Sequence, residues 1–126
     1  MAVVAHSPGF LKLVESVRPS VREVEVAEAR RRTAEGAILV DVREDREWDA
    51  GHARGAMHIG KGVIERDVEQ KIPDADAEII LYCGGGFRSA LAADSLKKMG
   101  YRNVASMAGG WRAWEAADGE IESGKG

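Results

Sequence analysis

Cysteine is nearly absent: Cys83 is the only one in 126 residues. One thiol cannot close an intramolecular disulfide, nor supply a zinc site that needs two cysteines. The expected setting is a reducing compartment. Proline is also scarce, and Pro8, Pro19 and Pro73 all stand where segments begin or end. No apolar run approaches the ~20 residues of a membrane helix. The opening Met1–His6 has no basic stretch ahead of its short apolar run, so no secretory signal is expected. These absences predict a soluble, cytoplasmic protein with no membrane partner. A basic surplus is missing too: 18 Lys plus Arg stand against 21 Asp plus Glu, a net charge of −3. Binding to a nucleic-acid backbone is not expected from that balance. What is present, 44% hydrophobic and 31% charged residues, is the mix of an ordinary folded domain. The length suits one domain, which can bury roughly two-thirds of its unfolded surface. No repeat or low-complexity tract interrupts it.

The chain alternates strand-like and helix-like segments. Ser7-Pro8 is an N-cap and N1 pair, and Phe10, Leu13, Val14 and Val17 share one face up to Pro19. Residues 1–20 are therefore expected to be an N-terminal helical extension, followed by a domain over 21–126. Within it, Val21–Val26 (VREVEV) alternates as an edge strand, and 27–33 reads as a helix closed by Gly36. Residues 37–42 (AILVDV) form a buried strand, 44–50 a short helix ending at Gly51, 56–59 a short strand and 62–71 a helix before the turn at Pro73-Asp74. Residues 78–82 (EIILY) form a second buried strand, 89–99 a helix opened by Ser89, 103–107 a strand and 109–117 a last helix. The polar tail 120–126 is expected to fray. This order predicts an α/β fold, a mostly parallel sheet with helices on both faces.

In such sheets ligands bind beyond the carboxyl ends of the strands. Cys83 stands there, directly after EIILY, followed by Gly84, Gly85, Gly86, Phe87, Arg88 and Ser89. Each residue type has a use. Sulfur attacks as the thiolate, and helix N-termini and convergent backbone N–H groups favour that anion. Three glycines let the loop curl and adopt positive φ freely. Arg88 adds a permanent cation. Ser89 is expected to cap the next helix, with its hydroxyl able to face the loop. The bland alternative is a buried cysteine in a structural turn. The combination of strand end, glycine loop, arginine and helix start favours a small anion cradle with sulfur at its floor.

The loop Cys83–Ser89 resembles the active-site loop of the rhodanese family in its single-domain form, with an arginine five positions after the cysteine and then a Ser or Thr. Asp41-Val42-Arg43, Glu47-Trp48 and Gly51–Ala56 resemble that family's N-terminal signature, with Ala53-Arg54 where Ile-Pro is usual. Gly100–Val104 and Gly109–Trp114 resemble its C-terminal signature. The resemblance spans about Val21 to Gly126 and implies a rhodanese-like five-stranded, mostly parallel sheet. It also implies a sulfurtransferase: Cys83 takes the outer sulfur of a donor such as thiosulfate, holds it as a persulfide, and yields it to cyanide, a thiol or a protein acceptor. No metal or organic cofactor is implied. Two alternatives stand beside this reading. One is a persulfide carrier or sensor with little turnover of its own. The other is a phosphatase or arsenate reductase on the same fold; but those resemble a Cys-x5-Arg pattern, whereas four residues separate Cys83 from Arg88.

Other residues carry competing expectations. Arg88 is equally a substrate contact or a clamp on the loop. Asp41 and Arg43 are expected to be a structural ion pair at the same rim, with Arg43 as an anion contact the lesser reading. Glu47 is expected to support a turn, His52 to satisfy backbone groups, and Trp111 and Trp114 to anchor the core. Phe87 is either the lip of the pocket or a patch for a partner. His6 and His58 have no assigned role, and the loop itself lacks a second cation.

Overall fold

Helix and strand segments settle where the apolar pattern demands. The computed structural model describes residues 6–124. Helix α1 (Pro8–Val17) runs through a 3-10 turn into strand β1 (Arg22–Val24). Helix α2 (Val26–Ala34), β2 (Ile38–Asp41), α3 (Asp45–Ala50), β3 (His52–Ala53) and β4 (Met57–His58) follow. Then come α4 (Ile64–Lys71), β5 (Ile79–Tyr82), α5 (Phe87–Lys98), β6 (Val104–Met107), α6 (Gly110–Ala116) and β7 (Ile121–Glu122). Five strands make one sheet in the order β1-β6-β5-β2-β4, and every pairing in it is parallel.

The alternation of side chains along β5 divides the core. Ile79 and Leu81 join one apolar cluster with Ile64 and Val68 of α4 and Leu96 of α5. Ile80 and Tyr82 point the other way, into a cluster with Ala29 of α2 and Trp114 of α6. A strand whose faces are both covered is expected to be apolar throughout, as Ile79–Tyr82 (IILY) is. The α/β fold expected from sequence, a five-stranded parallel sheet with helices on both faces, is the one observed. Among the described residues no helix is long and apolar enough to cross a membrane.

Several boundaries differ from the expectation. The VREVEV strand is indeed at an edge but pairs only over Arg22–Val24, the span matched by Ala105–Met107 on β6. Glu25 then stands extended at the N-cap, and Val26 buries itself as the first residue of α2. Helix α5 starts at Phe87, two residues early, because Gly86 takes the N-cap position with φ +99°. Ser89 therefore sits inside the helix, not at its cap. The tail does not simply fray: Ile121–Glu122 pairs antiparallel with His52–Ala53, and Trp114 Nε1 donates to the Glu120 carbonyl at 2.9 Å. Residues 1–5 of the expected extension and the final two of the tail lie outside the described residues.

At the sheet's carboxyl edge a buried ion pair joins Asp41 to Arg43. Arg43 Nη2 lies 2.7 Å from Asp41 Oδ2 and donates to the Gly51 carbonyl at 2.6 Å. Its guanidinium lies over the rings of Trp111 and Tyr82, 4.6 and 5.6 Å from their centroids. Thus one side chain ties β2, the end of α3 and the start of α6 together. Removing one partner of a buried pair strands the other charge, at a cost of about 3–5 kcal/mol. Arg43→Met is expected to lose about that much in denaturant unfolding. The double variant Asp41→Leu/Arg43→Met should regain most of it; equal losses in single and double variants would contradict the pairing.

Candidate active site

Cys83 leaves β5 at the carboxyl edge of the sheet, in the middle of the strand order. What shapes the next residues is the start of α6. The Trp111 N–H donates to the Cys83 carbonyl at 2.7 Å, and the Arg112 N–H donates to the Gly84 carbonyl at 3.2 Å. These are free N–H groups of a helix start, which must find acceptors. These bonds fix the Cys83–Gly84 and Gly84–Gly85 peptide planes, with the Gly84 and Gly85 N–H groups facing away from α6. Two further N–H groups reach the sulfur from the start of α5. The Gly86 N–H donates to Cys83 Sγ at 3.2 Å and the Ser89 N–H at 3.3 Å.

Close approach of the two segments explains the glycine pair before Trp111. Gly110 has φ +52°, and a Cβ there would overlap the Cys83 carbonyl. Gly109 has φ +75°, and its Cβ would lie 2.7 Å from that of Ala113. Of the three loop glycines only Gly86 has positive φ. Gly84 is the tighter of the other two, a Cβ there lying 3.2 Å from the mobile Arg88 Nη2, whereas one on Gly85 would make only ordinary contact, 3.6 Å from Arg112 Nη1.

Ser89 is fully buried in the first turn of α5. Its hydroxyl lies 3.5 Å from Cys83 Sγ and 2.8 Å from the hydroxyl of Ser106. Ser106 is a β6 residue that the sequence did not single out. A serine facing β5 at Leu81 in an otherwise apolar, fully buried strand was the available signal. The sulfur thus faces two amide N–H groups and a hydroxyl.

Arg88 makes a clamp contact and also lines the cavity at Cys83. Its Nη1 and Nη2 bind the two carboxylate oxygens of Glu47 at 2.9 and 3.2 Å, a fork-to-fork pair linking α5 to α3. That guanidinium holds the Glu47 carboxyl at about 2, well below its ordinary 4.5, with the Glu44 N–H that donates to Glu47 Oε1 helping. Asp41 and Arg43 bind each other and line no part of the cavity at Cys83; Arg43 acts on the loop through α6. His52 Nδ1 lies 2.9 Å from the Trp48 carbonyl, and His58 Nε2 the same distance from that of Arg43, so both serve the backbone.

A cavity of about 630 Å³ opens above the sulfur, lined by Cys83, Gly84, Gly85, Phe87, Arg88, Glu47 and Arg112, and closed by His6, Ser7 and Phe10. Phe87 is half-buried there as a lip. Arg112 supplies the second cation that the loop alone lacks. It was missed as a site residue because it lies 24 residues beyond Arg88 and reaches the loop only once α6 docks. His6 and Phe10 were missed for the same reason.

The Glu47–Arg88 clamp has a pH signature. A carboxyl depressed by folding adds stability above its unfolded value, which disappears as pH falls through the folded value. The stability gap between wild type and Glu47→Gln should be full above about pH 4.5 and should close as pH falls towards about 2. A gap independent of pH over that window, in urea titrations, would contradict the pair.

The rhodanese-like domain family model matches residues 25–117. The thiosulfate sulfurtransferase GlpE of Haemophilus influenzae is 34% identical over 82% of this chain and 97% of its own length. A Rhodopseudomonas palustris protein of unknown function, described as a possible tyrosine phosphatase, superposes with a TM-score of 0.78 at 28% identity. That match covers 97% of this chain and all of the other. A thiosulfate sulfurtransferase from Pseudomonas aeruginosa superposes with a TM-score of 0.81 over 92% of this chain and 22% of its own, sharing the fold at 24% identity. With the parallel sheet, the strand-end cysteine loop and the paired glycines that hold it, the chain belongs to the rhodanese-like sulfurtransferase family.

Proposed function

We propose that this protein transfers sulfane sulfur through a persulfide on Cys83. In the first half-reaction the Cys83 thiolate attacks the outer sulfur of a donor such as thiosulfate. A new S–S bond forms, the donor's S–S bond breaks, and its electron pair leaves on sulfite. In the second, cyanide or a thiol takes the outer sulfur and the thiolate returns. This is covalent catalysis in two steps. The observation that carries the reading is the convergence of the Gly86 and Ser89 N–H groups and the Ser89 hydroxyl on one sulfur. Fixed donors of this kind stabilise negative charge on sulfur as an oxyanion hole stabilises it on oxygen.

Roles follow from position. Cys83 is the nucleophile, Gly84, Gly85 and Gly86 form the cradle, and Ser89 donates to the sulfur. Arg88 holds the loop through Glu47, and Arg112 meets the anionic donor. Asp41 and Arg43 are supporting residues. Residues 1–20 act as an extension to a domain over 21–126. The partners are a small sulfur donor and a thiophilic acceptor, in line with the GlpE relative. The phosphatase reading is weaker here, because Arg88 is engaged by Glu47 and the loop is one residue short.

Incubation with thiosulfate followed by intact-mass measurement should add one sulfur atom to the wild type, lost again on cyanide treatment. Cys83→Ser should gain none and should fold normally; transfer by that variant would defeat the assignment. A stable sulfur adduct without cyanide turnover would favour a carrier, and phosphate release from an aryl phosphate the phosphatase. Arg112→Gln is expected to raise KM for thiosulfate about tenfold with a smaller change in kcat, the loss of one charge-assisted contact. An unchanged KM would remove Arg112 from donor binding.

A further inference from the structure

Helix α1 lies outside the span matched by the family model, yet it closes one side of the cavity over Cys83. It is held there by Val14, which is 1% exposed, and by Val17, which packs on the core beside α5. That docking sets three rings together. The His6 ring lies 5.1 Å from that of Phe10 and 4.5 Å from that of Phe87, and Phe10 and Phe87 are 6.2 Å apart between centroids. Arg18 places its guanidinium 5.2 Å from the Phe87 centroid and fixes that ring from outside. The spacings are those of tilted aromatic pairs.

The cavity therefore has two unlike walls. One is aromatic. The other carries Arg112, which forms no ion pair among the described residues, whereas Arg88 is already neutralised by Glu47. Its volume of about 630 Å³ is within the ~300–1,000 Å³ that encloses organic ligands of drug size. Thiosulfate fills little of such a space, offers nothing to the rings, and brings two charges to one uncompensated cation.

Resting on the persulfide reading above, we propose that Phe10, with His6 and Phe87, is a specificity-determining wall that selects an organic sulfane-sulfur donor. That donor carries one anionic group and an apolar body about the size of an aryl ring. An organic thiosulfonate has this form. The Cys83 thiolate attacks its terminal sulfur. The bond between the terminal and sulfonyl sulfurs breaks, and its electron pair leaves on the sulfinate. Charge and atoms balance without an oxidant or reductant. The anionic end meets Arg112 and the cradle, while the apolar body lies along the three rings.

Benzenethiosulfonate and methanethiosulfonate share the reacting group and the charge, and differ only in the body that would meet the wall. The full-length wild type is expected to show a kcat/KM about tenfold or more higher for the aryl donor, the effect of burying a ring-sized apolar group. Phe10→Ala should bring the aryl-to-methyl ratio to within about twofold of one, and Phe10→Leu, which keeps α1 apolar at that point, should give an intermediate ratio. A wild-type ratio near one overturns the proposal. So does a Phe10→Ala variant that keeps the wild-type ratio. Sulfur gain on Cys83 from thiosulfate, followed by intact mass, reports separately on the chemistry. If it occurs while the ratio is flat, only the wall is wrong; if no donor adds sulfur, the transfer reading itself fails.

Discussion

The site depends on two hydrogen bonds made by the first turn of α6. Trp111 and Arg112 donate their N–H groups to the carbonyls of Cys83 and Gly84. A peptide unit presents its N–H and C=O on opposite sides, so fixing the carbonyls outward fixes which side of the loop faces the sulfur. The Gly84 and Gly85 N–H groups, which share those peptide units, are turned away from α6, while the Gly86 and Ser89 N–H groups reach the sulfur from the start of α5. Everything nearby serves this contact: Gly110 lets α6 approach, Arg43 lies beneath Trp111, and the Asp41 carboxylate holds Arg43.

Charge is arranged in layers around the sulfur. The deepest pair, Asp41–Arg43, is structural. The Glu47–Arg88 pair comes next and closes the loop against α3. Among the described residues lining the cavity, Arg112 is the arginine without an ion-pair partner. A net charge of −3 across the whole chain thus gives no hint of the local cationic wall. The sulfur also has a buried polar neighbourhood in the Ser89–Ser106 hydroxyl pair, which satisfies both groups within an apolar core.

Much of the architecture was legible in the residues. The run Ile79–Tyr82 is apolar at every position and rich in β-branched residues, the pattern of a strand covered on both faces, and β5 and β2 lie where expected. Short or polar elements were not. The β3–β7 ribbon pairs two residues with two others far along the chain, and no local pattern marks such a pairing. Ser89 was expected at a cap because a serine after a glycine loop is a good one; Gly86, free to adopt positive φ, took that place and sent Ser89 into the core.

By itself the sequence determined the place of the lone cysteine, the glycine loop after it, the strand that delivers it and the α/β layering, because each is written in neighbouring residues. Tertiary structure alone decided that Arg88 belongs to Glu47, that Arg112 belongs to the cavity, and that Phe10 and His6 form its wall. Those choices join residues dozens of positions apart. They depend on how helices dock on the sheet, a matter of packing geometry that local periodicity does not encode.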